Sequence, residues 1–481
     1  MKLIASAAEM RAIPRSAEFR NGGVSFWYRE TGLPERRPAL PGSADYDVCI
    51  VGGGYTGLWT AYYLKKARPE LRVAILEREF AGFGASGRNG GWLSAEFAGS
   101  RERYAQTHGK GAMIALQRAM MAAVDEVIAV AEAEGIDADI VKDGMRLVAT
   151  NQAQRERLEE EVRHLQEWGY WPEDIYLLED DREPALRVAD TVAAAYSPHA
   201  ARIQPAKLVL GLASVVEGLG VDIFEDTPVT EIRPREEGRP AAAVTETGEE
   251  VRAEYVIRAT EGFTASLSGQ RRQWLPMNSS MIATEPIGAD IWERIGWERR
   301  ELLGDSAHTY IYAQRTADDR IAIGGRGIPY RFGSGHDSNG ATPPQTIAEL
   351  WRALTRLFPE VREVPVAHAW SGVLGVPRDW CPTVSLNREE GLGWAGGYVG
   401  SGVTTSNLAG RTLCDLVLGR DGELARLPWV GRRVRGWEPE PLRWVGTQVI
   451  YGLYRSADRR EADRGSRTSR LAGIAGRIAG R

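Results

Sequence analysis

Apolar residues near the start of the chain follow two spacings, and these predict strands and helices in alternation. Residues 48–51 form an unbroken apolar run, which is typical of a strand buried on both faces in a parallel sheet. Residues 58–66 have helical spacing, and Pro69 lies just beyond the end of that helix. Residues 72–76 are a second apolar run. This order predicts a strand–helix–strand unit with two parallel strands.

Longer helical patterns mark a second region of the chain. Residues 112–133 and 154–168 carry apolar residues every three or four positions, so we expect two amphipathic helices there. From Pro205 the chain returns to the first pattern, with a helix followed by short apolar strands. Residues 279–365 favour the sheet of a separate lobe. The alternation of these regions predicts a mixed architecture of helices and strands.

Composition narrows the class of protein. A chain of 481 residues is too long for one simple core and favours two or three lobes. A formal net charge of −5 gives no bulk electrostatic support to a nucleic-acid role. The three cysteines are far apart and odd in number, which argues against a disulfide framework and fits a reducing, cytoplasmic environment. The first residues make a poor signal peptide, and no apolar run approaches the roughly 18 residues of a membrane span.

Glycines follow the first predicted strand in the pattern G-x-G-x-x-G, at Gly52, Gly54 and Gly57. The first permits a tight turn, the second lets a pyrophosphate approach the backbone, and the third lets the helix pack closely on the strand. Glu77 ends the second strand 20 positions after Gly57, where a carboxylate is able to accept hydrogen bonds from ribose hydroxyls. This motif predicts a site for NAD or FAD at Gly52, Gly53, Gly54, Tyr55, Thr56, Gly57, Glu77 and Arg78.

A second glycine-rich stretch, FAGFGASGRNGGW at residues 80–92, follows closely. An NAD-binding domain would continue here into another helix and strand. So much bare backbone instead allows N–H groups to lie along a diphosphate or a flat ring, and Ser86 and Arg88 are able to add donors to phosphate. The stretch therefore favours FAD over NAD, with expected contacts at Gly84, Ala85, Ser86, Arg88, Asn89, Gly90, Gly91 and Trp92.

A third stretch, GWAGGYVGSGVTTSNLAGRTLCDLVLG, joins a short strand to a glycine loop and then to a helix at residues 404–418. A helix N-terminus carries about half a positive charge, which would stabilise the negative charge of a reduced flavin ring. We expect Gly397, Tyr398, Gly400, Ser401, Gly402, Val403 and Thr404 to border that ring.

Together and in this order, the three motifs make the sequence resemble the D-amino-acid oxidase-like, or glycine/sarcosine oxidase, family of FAD-dependent oxidoreductases. The resemblance covers residues 25–419 and is strongest to the gamma-glutamylputrescine oxidoreductase-like subgroup. It implies that the first motif binds the ADP part of FAD and the second follows the diphosphate and flavin. It also implies that Val229 meets the adenine and that Ala259 and Thr260 lie beneath FAD, with Glu261 replacing the family's small residue.

The resemblance implies an α/β fold, with α+β character in the second lobe. We expect a Rossmann-like FAD-binding lobe interleaved with a mixed-sheet substrate lobe. The FAD lobe is predicted at 45–100, 196–278 and 366–420, and the substrate lobe at 101–195 and 279–365. Residues 1–44 are an N-terminal extension, and residues 421–481 a helical and basic C-terminal extension. For that last segment, packing or solubility competes with binding to an anionic surface.

The implied chemistry is oxidation of a C–N bond in an amine or amino acid. A hydride passes to flavin N5, and the resulting imine hydrolyses to a carbonyl compound. Such chemistry needs orientation and a dry pocket more than acid–base groups, and the six scattered histidines predict no metal site. The expected catalytic residues are Tyr312, Arg326 and Tyr398, while Tyr310, Ser94, Glu96 and Phe97 are further candidates at the pocket.

Two departures from related oxidases bear on the cofactor and the acceptor. Residues 80–92 contain no cysteine or histidine, and Cys381 lies several residues past the position that sarcosine oxidases use, so we expect non-covalent FAD. Ala322 stands where those oxidases carry an oxygen-activating lysine. The expected partners are therefore a small amine or amino acid and either oxygen or another acceptor. A dehydrogenase or biosynthetic tailoring enzyme, and a non-catalytic FAD-binding or assembly protein, remain as alternatives.

Overall fold

A computed structural model describes residues 13–179, 186–325, 327, 329–464, 468–469, 472–473 and 476. The strands of this part of the chain are β1 (Arg15–Asn21), β2 (Ala44–Val51), β3 (Val73–Leu76), β4 (Trp92–Ser94), β5 (Met145–Ala149), β6 (Tyr176–Leu177), β7 (Ala193–Ser197), β8 (Ala200–Arg202), β9 (Asp222–Phe224), β10 (Val229–Arg233), β11 (Ala241–Thr245), β12 (Glu250–Arg258), β13 (Leu275–Thr284), β14 (Leu302–Asp305), β15 (Tyr312–Arg315), β16 (Ile321–Gly325), β17 (Val366–Val376), β18 (Thr383–Asn387) and β19 (Leu392–Gly396). Its helices are α1 (Tyr28–Thr31), α2 (Tyr55–Ala67), α3 (Arg101–Ala133), α4 (Gln152–Glu167), α5 (Pro205–Gly218), α6 (Ala289–Ile295), α7 (Pro344–Leu357), α8 (Gly402–Leu418) and α9 (Leu442–Arg464). The α/β class predicted from the sequence is confirmed.

One sheet contains the predicted strand–helix–strand unit. Its strand order is β10-β11-β12-β2-β3-β9, and β19 pairs with both β12 and β18. The central strands β12, β2, β3 and β9 run parallel. The apolar run of residues 48–51 is at most 3% exposed, as the unbroken pattern predicted. Helix α2 crosses from β2 to β3, so its N-terminus lies at the carboxyl edge of the sheet.

A second sheet has the order β1-β17-β13-β16-β15-β14-β5-β7-β6. Most neighbours are antiparallel, but β1 pairs with β17 and β14 with β5 in parallel. The long pair of β13 and β17 runs from Leu275 opposite Val376 to Thr284 opposite Val366. The lobe boundaries stay a prediction, yet this pairing places β17 in the second sheet rather than beside β12. Strand β17 pairs with β13 along the whole length of β13. The local sequence did not reveal this pairing between distant segments.

The described part of the N-terminal segment, from residue 13, packs against the rest of the molecule. Strand β1 lies at the edge of the second sheet. The Ser25 hydroxyl donates to the Gly87 carbonyl at 2.6 Å, and Trp27 Nε1 donates to the Asn89 carbonyl at 2.8 Å. These bonds attach the segment to the second glycine-rich stretch.

Two predicted helices have different limits in the structure. Helix α3 starts at Arg101, well before residue 112, and breaks at Gly109, whose φ of 81° is not helical. Helix α4 begins after Asn151, whose side chain caps it by accepting from Gln154 N. Across the described residues, no helix combines the length and the apolar character that a membrane crossing requires.

Candidate active site

A cavity of about 930 Å³ extends from the carboxyl edge of the first sheet to the β14–β15 region of the second. Its size is within the range of ligand and cofactor sites. The predicted residues that line it are Gly52, Gly54, Tyr55, Thr56, Glu77, Arg78, Gly84, Ala85, Ser86, Arg88, Asn89, Gly90, Trp92, Val229, Ala259, Thr260, Tyr312, Tyr398, Gly400, Ser401, Gly402, Val403 and Thr404, together with the further candidates Ser94, Glu96, Phe97 and Tyr310. The fold thus brings three motifs, distant in sequence, to one wall.

The first motif forms a turn between β2 and α2. Gly52 has a φ of 112°, and a Cβ added there would lie 2.6 Å from the Ala259 carbonyl oxygen. Ala259, which directly follows β12, donates its N–H to the Val51 carbonyl at 2.8 Å. The turn of the first motif is therefore hydrogen-bonded directly to the turn after β12. Only glycine fits this close approach of two backbones.

The N-terminus of α2 has the features of an anion-binding site. Its preceding residue, Gly54, provides no side-chain cap, and the first turn holds no acidic residue. Tyr55 N donates to Ser86 Oγ at 2.8 Å, and this leaves the Ser86 hydroxyl proton available to a ligand. The helix N-terminus and this hydroxyl fit the charge of a diphosphate.

Glu77 is a buried carboxylate at the end of β3. Gly53 N donates to Glu77 Oε2 at 2.7 Å, and Glu79 N donates to Glu77 Oε1 at 3.0 Å. Burial raises the pKa of Glu77, while these two backbone bonds oppose the rise. Glu77 lines the cavity, and a carboxylate oxygen is able to accept more than one hydrogen bond, which suits a ribose hydroxyl donor.

Arg88 and Asn89 line the cavity and also hold the backbone around it. The Arg88 guanidinium donates to three backbone carbonyls, those of Phe83 at 2.8 Å, Ser338 at 2.8 Å and Ser371 at 3.3 Å. Three of its five N–H donors are therefore used by the protein, and the residue lines the cavity. Asn89 likewise braces its own loop, since its Nδ2 donates to the Ser86 carbonyl at 2.8 Å. Both residues shape the cavity wall through the backbone that they hold.

Four predicted contact residues do not line the cavity: Gly53, Gly57, Gly91 and Gly397. Gly57 permits close packing, because a Cβ there would lie 2.1 Å from the Gly52 carbonyl oxygen. Gly91 similarly lies against Gln314 and the Ile203 carbonyl. These glycines bring elements of the site together without facing it.

The third motif places the N-terminus of α8 at the cavity. Ser401 gives this helix no side-chain cap. Thr404 Oγ1, in the first turn, is buried and has no hydrogen-bond partner among the described residues. A buried hydroxyl of this kind indicates a missing polar ligand. The helix end and the Thr404 hydroxyl suit the polar edge of a flat ring.

Glu261 links this motif to the turn after β12. Its Oε2 accepts from Gly397 N at 2.9 Å and its Oε1 from Tyr398 N at 3.1 Å. Burial raises the pKa of Glu261 to about 7, although these backbone donors lower it. Glu261, which replaces the family's small residue at this position, therefore supports the loop before α8.

The predicted catalytic residues have different environments. Tyr312 is half-buried at the cavity, its hydroxyl lies 2.9 Å from Ser279 Oγ, and its ring meets Trp92 edge-on. Tyr398 is 3% exposed, and its hydroxyl lies 2.9 Å from Thr56 Oγ1. Burial raises the pKa of Tyr398, which keeps the phenol neutral. Arg326 lies outside the described residues.

The far wall of the cavity, opposite the three glycine motifs, consists largely of residues that the sequence did not predict. Helix α4 contributes Arg157, Glu161 and Leu165, one helical turn apart, and this spacing was the only sign of a shared face. Further unpredicted residues of this wall are Arg101, Met145, Leu147, Tyr170, Ile175, Ser197, His199, Asp305, His308 and Ile311.

The C-terminal segment also reaches the cavity, through Tyr454, Thr468, Ala472 and Gly473. Glu461 of α9 accepts from Arg157 Nη1 at 2.8 Å and lies 2.9 Å from His308 Nε2. Asp458 accepts from His308 N at 2.8 Å. The ligand atoms of His308, Asp458 and Glu461 lie within 4.8 Å of one another, but these bonds already satisfy the two carboxylates. The cluster fastens α9 over the end of the cavity.

The arrangement fits a dinucleotide with a flat ring. Two helix N-termini, the free hydroxyl protons of Ser86 and Thr404, and a long cavity between the sheets match a diphosphate flanked by two ring systems.

Comparison with known proteins also indicates a protein that binds a flavin dinucleotide. Residues 47–416 match the model of the DAO family, described as FAD dependent oxidoreductase. Gamma-glutamylputrescine oxidoreductase of Escherichia coli (strain K12) is 28% identical over 389 residues, which are 79% of this chain and 86% of that protein. Glycine oxidase of Geobacillus kaustophilus (strain HTA426) is 26% identical over 378 residues, covering 77% and 93%.

A solved structure has the same fold. The crystal structure of glycine oxidase from Geobacillus kaustophilus superposes with a TM-score of 0.66 at 23% sequence identity. The superposition covers 81% of this chain and 99% of that one. The residues after 416, which include those of α9 at the cavity, lie beyond the match to the family model.

Proposed function

Because the chain belongs to the DAO family of FAD-dependent oxidoreductases, we propose that it oxidises a C–N bond of a small amine or amino acid. The products are an imine, which water hydrolyses to a carbonyl compound, and the released amine or ammonia. FAD is the cofactor, and when bound it accepts the electron pair from the carbon next to nitrogen. The names of the relatives, which act on an amine and on an amino acid, support this substrate class.

The observation that carries the proposal is the continuity of one cavity. Its cofactor end is built by the three glycine motifs, and its other end by Tyr312 and the β14–β15 loop of the second sheet. Leu147, Leu165 and Ile311 make part of that end apolar. A substrate held there is oriented toward the cofactor and shielded from water, which are the two contributions that this chemistry requires from protein.

We assign orientation of the substrate to Tyr312. Its hydroxyl is positioned by Ser279, and glycines lie on two sides of its ring: a Cβ at Gly324 would come within 2.3 Å of the ring and one at Gly90 within 2.7 Å. The ring therefore has one well-defined place at the cavity. Tyr398 instead holds the cofactor loop, since its hydroxyl is paired with Thr56.

A panel of primary and secondary amines and of amino acids tests the proposal. We expect at least one to yield its carbonyl product in amounts equal to the amine or ammonia released. Peroxide formed in the same ratio would identify oxygen as the acceptor. Turnover with an artificial dye and without peroxide would support another acceptor, as expected from Ala322, which is fully buried on β16 beside apolar side chains. No carbonyl product from any member of the panel would contradict the proposal.

We expect acid precipitation to release the FAD into the supernatant. Residues 80–92 contain no cysteine or histidine, and Cys381 lies behind Gly99, where an added Cβ would be 2.6 Å from its Sγ. Burial raises the pKa of the Cys381 thiol to about 11, so it stays protonated and unreactive. Flavin that remains in the protein pellet would contradict non-covalent binding, and its loss in Cys381→Ala would then identify the attachment.

A further inference from the structure

We propose that the outer face of α9 docks the protein on an anionic lipid surface. This face, termed the outer stripe, consists of Leu442, Val445, Val449 and Leu453, with Arg460 at its end. Its apolar side chains would enter the headgroup region of the bilayer, while arginines contact the lipid phosphates. Such docking is independent of the proposed amine oxidation.

The apolar residues of the outer stripe share one side of α9. An interval of three or four positions separates each of them from the next, which places all four on one helix face. Val445 is 47% exposed and Val449 49% exposed, Leu442 is exposed as well, and Leu453 is half-buried. A surface helix normally turns polar residues toward water. The outer stripe does the reverse, which indicates that something other than water covers it.

Helix α9 is unable to hide the outer stripe by rolling, because contacts at both ends fix its inner face. Near the start, Arg443 Nη1 donates to the Arg271 carbonyl at 3.0 Å. Near the end, Asp458 accepts from His308 N at 2.8 Å. Tyr454, on the same inner side, is buried at the cavity. The folded protein therefore displays the apolar stripe permanently.

Two exposed aromatic residues enlarge the apolar surface beside the start of α9. Trp444 lies in the first turn of the helix, and Phe332 comes from the segment between β16 and α7. Their rings meet edge-on with 6.2 Å between centroids. Tryptophan and phenylalanine are typical of protein surfaces that insert at the level of lipid headgroups. Two segments distant in sequence thus present apolar side chains at one surface.

The charge that accompanies the outer stripe is positive. Residues 455–481 contain eight arginines and only three acidic residues. Two of these acids, Asp458 and Glu461, are hydrogen-bonded to the body of the protein. Arg459 and Arg460 are exposed and form no hydrogen bond or ion pair with the described residues. Arg460 follows Val449 by about three helical turns, so it continues the stripe on the same face.

This charge favours an anionic bilayer over a second copy of the chain as the partner. In a two-fold dimer, the same patch of both copies meets at the interface. The basic segments would then lie close together, where like charges repel. An anionic bilayer instead offers negative charge next to an apolar layer, and therefore matches both parts of the surface.

Co-sedimentation of the full-length, FAD-loaded protein with lipid vesicles tests the proposal. One set of vesicles is pure phosphatidylcholine, and the other has equal parts of phosphatidylcholine and phosphatidylglycerol. We expect the partition coefficient to be at least about tenfold higher on the anionic vesicles, and to fall as salt is added. Arg459→Gln combined with Arg460→Gln should lower binding to the anionic vesicles by about 30-fold.

Val445→Ser combined with Val449→Ser should lower binding to the anionic vesicles by at least about tenfold, because apolar area is lost from the contact. Val192→Ser is the matched control: Val192 is 43% exposed just before β7, outside the outer stripe, and its variant should bind like the wild type. Unchanged FAD content and melting temperature would show that the variants are folded.

A wild-type protein that stays in the supernatant with both kinds of vesicle would overturn the inference, as would valine variants that bind like the wild type. Sedimentation velocity without lipid provides the remaining comparison, and we expect the wild type and the valine variant to sediment alike. A wild-type dimer that these valine substitutions dissociate would assign the outer stripe to a second copy of the chain and overturn the lipid proposal.

Discussion

Gly57→Ala should yield a largely colourless protein whose affinity for FAD is at least about tenfold lower than that of the wild type. A Cβ at this position would lie 2.1 Å from the Gly52 carbonyl oxygen and 3.1 Å from Ile50 Cγ2. Neither contact is able to relax freely, since Gly52 is held against the Ala259 carbonyl and Ile50 is buried in the central strand. Helix α2 must therefore move away from the sheet, and its N-terminus leaves the position that faces the diphosphate.

Titration of the apoprotein with FAD, followed by quenching of the flavin fluorescence, measures this effect. Gly218→Ala is the control: Gly218 is the last residue of α5, and nothing lies within 4 Å of a Cβ added there. We expect it to bind FAD like the wild type. If Gly57→Ala kept wild-type affinity, the role of the first motif as the cofactor cradle would be wrong.

Glu261→Gln should weaken FAD binding by about tenfold and lower the melting temperature of the protein. The two carboxyl oxygens accept from the N–H groups of Gly397 and Tyr398, and each keeps a lone pair even when the group is protonated, whereas an amide offers only one oxygen and turns its NH₂ toward the other donor. An unpaired buried N–H costs about 1–3 kcal/mol. The loop that precedes α8 would lose its fixed position against the cofactor.

The effect of this change on stability should depend on pH. Because the pKa of Glu261 rises from 4.5 to about 7 on folding, the folded state binds the proton more tightly than the unfolded state. The stability that this group contributes is full below its unfolded pKa and is lost as pH rises through its folded pKa. In thermal melts of the apoprotein, the difference in melting temperature between wild type and Glu261→Gln should therefore be larger near pH 4.5 than near pH 7. Glu254→Gln, an exposed change in the preceding strand β12, should show no such trend.

The local parts of this fold were predictable from sequence because short-range rules determine them. An unbroken apolar strand, a glycine turn, an amphipathic helix and a terminal acid specify the β2–α2–β3 unit within residues 44–77. The α8 segment was equally clear, since its glycine loop precedes a regular helix. The resemblance carried by the three motifs supplied the cofactor and the reaction class.

The remaining features depend on packing between distant segments. The role of Arg88 toward phosphate stays a prediction, and its bonds to the carbonyls of Ser338 and Ser371 were not predicted. Nothing in the sequence around Glu161 indicates that its side of α4 faces the site. The bonds from α9 to His308 join residues about 150 positions apart, and no local pattern reveals such contacts. Glu161 and His308 line the end of the cavity that we propose for the substrate, which is why sequence specified the cofactor better than the substrate.

The most direct measurement mixes the purified yellow protein with an amine in the absence of oxygen and follows the flavin absorbance. We predict that the flavin bleaches and that one carbonyl product forms for each flavin reduced. A flavin that stays oxidised with every amine and amino acid tried, but is bleached by dithionite, would contradict it.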